Sequence, residues 1–176
     1  VWMDKELMLD QADINMQLPL LTDTALSHIS FAEGKLSLNE YSIGMNGLVN
    51  IQDTANMNAT MQFETNRWDI PSLLTLVPES YRYLLEDLKV KGSTTLRGSV
   101  NGGMKQGEAA LDKAEATLAL NNIDLQYTDS MALQSRAASL AINYNGNADR
   151  ATGILSASNL DATMVGLADA HLDAIK

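Results

Sequence analysis

The sequence predicts a mainly β fold, an antiparallel meander that forms a curved or groove-like sheet with one or two short helices inserted near residues 69–88. Apolar and polar residues alternate through long segments, as they do in strands, whose successive side chains point to opposite faces of a sheet. The gaps between these segments are short, which favours antiparallel neighbours, because parallel strands need crossovers of about a dozen residues. Only residues 69–88 have helical spacing instead.

The first strands are predicted from weaker patterns. Residues 6–18 alternate, with a slip near Asp10 and Gln11. Residues 29–31 and 36–38 are also strand-like, and they flank residues 32–35, whose sequence Ala-Glu-Gly-Lys is typical of a short hairpin loop. We therefore expect a hairpin centred on these four residues.

The clearest alternation is found in residues 41–51, 57–65 and 88–100. In each segment one side is almost wholly apolar or glycine, and the other carries mainly Ser, Asn, Thr, Gln and charged residues. This pattern predicts a sheet with one apolar and one hydrated face. What covers the apolar face is the functional question.

The helical segment begins at Asp69, a residue type favoured as an N-cap, and Pro71 suits a first helical turn. Pro78 permits a second start, after which Tyr81, Leu84 and other apolar residues recur at helical spacing. We expect one or two short amphipathic helices that lie across an end or edge of the sheet.

After residue 100 the pattern is less regular. Residues 101–107 are rich in glycine and predict a flexible loop. Residues 109–120 fit either a helix, by composition, or a strand, by the alternation of their second half. The alternation then continues with its parity shifted by one, which predicts a β-bulge at Asn121-Asn122. The alternation of residues 138–144 predicts another strand.

Composition excludes several classes of protein. The net charge of −10 argues against nucleic-acid binding, which needs a cationic face to displace counterions. The absence of cysteine excludes disulfides and thiolate metal sites. No stretch approaches the roughly 20 apolar residues needed to span a bilayer. The chain begins Val-Trp-Met without a signal-peptide pattern, so we expect residues 1–176 to be a single β-rich segment of a longer protein.

Candidate catalytic groups are few and scattered. His28 and His171 are the only histidines, and without cysteine or a third histidine no familiar zinc spacing can be formed. The neighbouring carboxylates lack the spacing of a calcium loop, so a hydrated surface is the better interpretation of them. They are Asp10, Asp13, Asp161, Asp169 and Asp173. We therefore expect no catalytic residue, no metal and no cofactor.

The candidate functional residues lie on the apolar sides of the predicted strands. The methionines among them can adapt to irregular partners, either inside a core or against flexible acyl chains. A groove that covers about ten methylenes would gain on the order of 8 kcal/mol before entropy losses. The same residues can instead pack on the helical segment or on a second sheet. They are Ile43, Met45, Val49, Ile51, Met57, Met61, Phe63, Leu96 and Val100.

Residues 31–102 resemble the AsmA-like family of Gram-negative envelope proteins. The resemblance is carried by an ordered set of segments. Residues 34–38 (GKLSL), 43–49 (IGMNGLV) and 57–65 (MNATMQFET) are strand-like, residues 69–78 read DIPSLLTLVP, and residues 88–102 read LKVKGSTTLRGSVNG. Residues from Glu108 onward match only in general strand character.

The resemblance implies a body in the periplasm and an inner-membrane anchor outside this segment. It also implies a curved, groove-bearing sheet, related to bridge-like lipid-transfer proteins, that takes part in outer-membrane biogenesis and phospholipid transport or homeostasis. The family has no catalytic residues to carry over. The expected ligand is therefore the acyl chains of phospholipid.

Two alternatives remain at the level of sequence. One is a non-catalytic structural or interaction module of the cell envelope whose core is filled by its own side chains. The other is a hydrolase or lyase on a β-barrel, which would need polar groups that point inward. An exposed apolar face would also promote self-association.

Overall fold

The computed structural model describes residues 2–3, 6–7, 13–77, 79–165 and 168–175. Within these ranges two short strands pair with each other, and eleven further strands form one antiparallel sheet. The strands are β1 (Trp2–Met3), β2 (Glu6–Leu7), β3 (Ile14–Gln17), β4 (Leu20–Thr22), β5 (His28–Leu38), β6 (Tyr41–Asp53), β7 (Asn56–Thr65), β8 (Trp68–Asp69), β9 (Leu88–Lys105), β10 (Glu108–Tyr127), β11 (Met131–Asn145), β12 (Arg150–Met164) and β13 (Ala168–Ile175).

The sheet is a meander, as the sequence predicts. Its main path runs β13-β12-β11-β10-β9-β7-β6-β5-β3, with β4 paired to β5 and β8 paired to β9. The mainly β class is confirmed, and the sheet is neither closed nor strongly curled. The predicted slip at Asp10-Gln11 lies outside the described residues.

The helical insert between β8 and β9 is also confirmed. Helix α1 (Ile70–Leu74) is capped by Asp69, whose carboxylate accepts hydrogen bonds from the backbone N–H and the hydroxyl of Ser72 at 3.0 and 2.9 Å. The first of these bonds satisfies the Ser72 N–H, a donor that has no intrahelical partner in the first turn. A 3-10 helix follows at Glu79–Leu84. Pro78, the predicted second start, lies outside the described residues.

The predicted hairpin at residues 32–35 is wrong, because β5 runs through it as one strand. A β-bulge between Phe31 and Gly34 accommodates the irregularity, and Glu33 adopts a positive φ of 57°. β6 is long enough to pair with both halves of β5, on either side of the bulge. A hairpin would have left one half without these backbone partners.

The predicted loop at residues 101–107 is wrong for a related reason. β9 continues to Lys105, and the connection to β10 is only the turn at Gln106 and Gly107. Glycine allows close backbone approach here, since a Cβ at Gly103 would lie 2.0 Å from the carbonyl oxygen of Met57. Composition alone does not separate this use of glycine from its use in loops.

Residues 109–120, which the sequence leaves open between helix and strand, belong to strand β10. The predicted bulge is confirmed: the register between β9 and β10 shifts between Asn121 and Asp124, and Asn122 has a φ of 50°. Alternation therefore outweighs helix propensity in this segment, because β9 and β11 supply partners on both sides.

No second layer of structure covers the sheet in the described part of the chain. The accessible surface is 12272 Å², whereas a compact monomer of 19.1 kDa exposes about 8,400 Å². Tyr41 is the single buried apolar residue among the described ones, and its ring packs edge-on against Trp68 with centroids 5.7 Å apart. In the described part of the chain, side chains on both faces of the sheet are therefore shielded by their neighbours within the sheet and not by a second layer.

Candidate binding surface: the apolar face of the sheet

Cross-strand register places the predicted site residues on one side of three neighbouring strands. Residues that face each other across an antiparallel pair project to the same side of the sheet. Met45 lies opposite Phe63, and Met61 lies opposite Val100. Ile43, Val49, Ile51, Met57 and Leu96 follow on the same side by the two-residue period of their strands. We call this side of the sheet the apolar face.

The apolar face extends well beyond the predicted residues. Register carries it through β5 in one direction and through β10, β11, β12 and β13 in the other. The large apolar residues that sequence reasoning did not assign to the site include Phe31, Leu36, Leu118, Leu140, Ile142, Leu155, Leu160 and Leu172. The alternation of residues 138–144 indicated Leu140 and Ile142. For the other residues, β-bulges change which alternate positions of a strand face the apolar side, so alternation alone does not assign them.

The apolar face of β5, β6, β7 and β9 forms what we call the Met-rich half. All of the predicted site residues belong to it, and all are half-buried by their neighbours. Two phenylalanine rings contribute to this burial by lying over glycines. A Cβ at Gly47 would come within 2.5 Å of the Phe31 ring, and one at Gly98 within 2.6 Å of the Phe63 ring. The rings cover backbone that would otherwise face solvent.

The apolar face of β10, β11, β12 and β13 forms the Ala-rich half. Many of its positions are alanine or glycine. Leu118 and Leu160 are half-buried there, but several other large side chains are more open. Leu140 is 38% exposed, Ile142 is 46% exposed, and Leu155 is 61% exposed. Exposed apolar area of this extent is typical of surfaces that contact another molecule.

The opposite, polar face carries a row of charged and amide side chains that runs from β9 to β11. Lys91 on β9 lies opposite Asp124 on β10, with Nζ and Oδ2 3.8 Å apart. Gln134 on β11 lies opposite Asp124 and donates a hydrogen bond from Nε2 to Oδ1 at 3.2 Å. This row links three strands without placing any charge on the apolar face.

The two histidines are each held by aspartate on the surface. The Nδ1 atom of His28, the first residue of β5, lies 3.1 Å from Oδ2 of Asp23 in the preceding turn. His171 on β13 lies between Asp161 on β12 and Asp173, and the Nε2–Oδ1 distance to Asp173 is 3.2 Å. The hydrogen bond with Asp161, followed by the one with Asp173, raises the pKa of His171 above its ordinary value of 6.5. The structure does not bring the two histidines together.

Among the described residues, no three His, Asp or Glu side chains form a group suited to a metal ion. No helix in the described part of the chain is long and apolar enough to cross a membrane. No protein-family model matches the chain, and no characterised protein or solved structure proved similar to it. The uncovered apolar face is therefore the feature from which a function can be argued.

Proposed function

We propose that this chain is a segment of an AsmA-like envelope protein that holds phospholipid acyl chains on the apolar face of its sheet. In this proposal the segment works in the periplasm, and the longer protein is anchored in the inner membrane by a part outside residues 1–176. The mechanism is passive: acyl chains lie on the apolar face while headgroups stay in water. Lipid then moves toward the outer membrane without a catalytic step.

The observation that carries the proposal is the single-layer sheet with its uncovered apolar face. The accessible surface of 12272 Å² is well above the value of about 8,400 Å² for a compact monomer of this mass, as expected for a face without a covering layer. Each methylene that leaves water contributes roughly 0.8 kcal/mol, so an acyl chain gains enough to bind even when covered from one side. Because the sheet is not strongly curled, the open side of the acyl chain is left to neighbouring lipid or protein.

The residues of the Met-rich half suit a fluid ligand. Methionine is unbranched and polarizable, so Met45, Met57 and Met61 can follow an acyl chain through several conformations. The polar face, by contrast, presents amide, hydroxyl and charged groups to water. The apolar face thus offers support to one side of an acyl chain, while the polar face meets water.

Lipid extraction from the purified chain, combined with native mass spectrometry, tests the proposal. The 176-residue chain is produced in a Gram-negative host and compared with the double variant Met61→Asp/Leu96→Asp. A matched control, Gln62→Asp/Thr95→Asp, places the same charges on the same two strands but on the polar face. Far-UV circular dichroism verifies that all three proteins keep the sheet.

We expect co-purified phospholipid with the wild-type chain and with the polar-face control, and its loss with the apolar-face variant. The proposal is refuted if the wild-type chain is lipid-free and also fails to take up a labelled acyl chain from vesicles. Equal lipid content in both double variants would show that lipid does not lie on the apolar face.

A further inference from the structure

The helical insert, the first residues of β9 and part of β10 line an open cavity of about 680 Å³, a volume within the usual range of small-molecule sites. Its lining has two distinct parts. One part is apolar and comes from both the insert and the sheet: Pro71, Leu74, Leu85, Leu88 and Val90. Leu88 and Val90 belong to the apolar face, because they precede Leu96 on β9 by an even number of residues. They lie opposite Tyr127 and Leu125 on β10. The cavity therefore adjoins the apolar face at the edge of β9.

The other part of the lining is cationic. Arg82 comes from the insert, whereas Lys89 and Lys91 project from the polar face of β9. The chain as a whole is acidic, with 12 Lys and Arg against 22 Asp and Glu. Three basic side chains around one cavity therefore give this site a charge of the opposite sign to that of the chain. Among the described residues, neither Arg82 nor Lys89 forms an ion pair.

The carboxylates of the same cavity do not neutralise these cations fully. Asp124 lies 3.8 Å from Lys91 and also accepts a hydrogen bond from Gln134. Glu86 is exposed at the rim. A long ion pair between exposed groups contributes little, so the site retains unpaired donors that favour an anion.

A second cavity beside the first adds another basic residue. It shares Lys91 and is also lined by Arg67, whose Nε donates a hydrogen bond to the Ser93 hydroxyl at 2.7 Å. Asp69, the carboxylate in this second cavity, is engaged as the cap of α1. Positive charge therefore continues along the polar side of β9 from the first cavity to the second.

We propose that the cavity under the helical insert binds the anionic headgroup end of an amphiphile. A phosphate or carboxylate would sit among Arg82, Lys89 and Lys91, and the first methylenes of the alkyl chain would contact Leu88 and Val90. The chain would then pass onto the apolar face, where Leu96 lies further along the same strand. This inference rests on the proposed function and adds to it the charge of the ligand and the place where it enters.

Isothermal titration calorimetry with single-chain probes below their micelle concentrations tests this site. Dodecyl phosphate carries the anion, dodecyl maltoside has the same alkyl chain with an uncharged head, and inorganic phosphate is the anion alone. The variant Arg82→Gln/Lys89→Gln removes two cations of the site. The matched control Lys35→Gln/Arg150→Gln removes two cations that lie elsewhere on the sheet, so both variants have the same net charge.

We expect the wild-type chain to bind dodecyl phosphate about tenfold more tightly than dodecyl maltoside, as one charge-assisted hydrogen bond would produce. The Arg82→Gln/Lys89→Gln variant should lose this preference while its affinity for dodecyl maltoside stays unchanged. The control variant should keep the preference. Inorganic phosphate should bind much more weakly than dodecyl phosphate.

The remaining outcomes separate this inference from the proposed function. Equal affinity for the two detergents would overturn the headgroup site and leave the apolar face as an acyl-chain surface. Inorganic phosphate that binds as tightly as dodecyl phosphate would mean a site for free anions, and it would overturn the assignment of an amphiphile. Failure to bind either detergent would overturn both proposals.

Discussion

The Met-rich and Ala-rich halves of the apolar face share one sheet but bury their side chains to different extents. In the Met-rich half, Phe63 lies between Met45 and Gly98, and its ring covers the glycine. In the Ala-rich half, Ile142 lies between Ala116 and Gly153, no ring covers that glycine, and Ile142 is 46% exposed. Burial on a single-layer sheet is therefore set by the cross-strand neighbours of each residue.

This difference separates two roles of apolar residues. Half-buried residues of the Met-rich half stabilise the sheet through contacts with each other, and they retain only part of their surface for a ligand. Exposed residues of the Ala-rich half add little to the sheet and offer most of their surface to whatever covers it. The candidates predicted from sequence all lie in the first group, so the exposed apolar area of the face is larger than those residues suggest.

The largest expected effect comes from adding a methyl group to a glycine in each half. For Gly98→Ala we expect a loss of about 2–3 kcal/mol in the free energy of unfolding, since the new Cβ would lie 2.4 Å from the Glu115 carbonyl oxygen and 2.6 Å from the Phe63 ring. Gly153→Ala is the matched control, because the nearest atom to its Cβ is 3.8 Å away. Chemical denaturation measures both. Equal losses would contradict the contrast between the halves.

Truncation of large side chains gives the next largest effect. Phe63→Ala should cost about 2 kcal/mol, roughly half the value for a fully buried phenylalanine, because its ring is half-buried. Leu155→Ala should cost about 0.5 kcal/mol or less, because Leu155 is 61% exposed. Urea denaturation curves with a common slope test this pair. A larger loss for Leu155→Ala would mean that the Ala-rich half is covered in solution.

Polar substitution in the Ala-rich half should change ligand contact more than stability. The double variant Ile142→Ser/Leu155→Ser should unfold within about 1 kcal/mol of the wild-type chain, while its fluorescence with the apolar dye ANS falls about twofold through the loss of exposed apolar area. Asn143→Ser/Ser156→Thr, on the polar face of the same strands, should leave the fluorescence unchanged. An unchanged signal in both variants would place the dye on the Met-rich half.

The smallest expected effect is a pH dependence at β13, the outer strand of the Ala-rich half. Since the pKa of His171 is raised above 6.5 by Asp161 and Asp173, protonated His171 stabilises the β12–β13 pair. This stabilisation is complete below pH 6.5 and is lost as the pH rises through the raised pKa. Hydrogen-exchange protection factors of β13 should therefore fall over that interval, and those of β6 should not. In His171→Asn the dependence should disappear; its persistence would assign it to other groups.

Much of the fold was predictable because alternation is a local property. β6, β7 and β9 were predicted from residues 41–51, 57–65 and 88–100, and the Asp69 cap of α1 is a local contact that four residues determine. The bulge at Asn122 was visible as a change in parity. The predictions that depended on glycine were less successful, because Gly34 and Gly103 lie within strands where neighbouring backbone approaches closely.

The sequence by itself determined that one side of each strand is apolar and that residues 69–88 interrupt the sheet. It did not determine which strands join into one face, because register, bulges and the pairing of β9 with both β7 and β10 depend on residues far apart in the chain. Nor did it reveal the cations gathered around the cavity under the insert, since Arg82 meets Lys89 and Lys91 only once the insert packs on β9. Tertiary structure decided these features because side-chain exposure and charge clustering arise from neighbours in space.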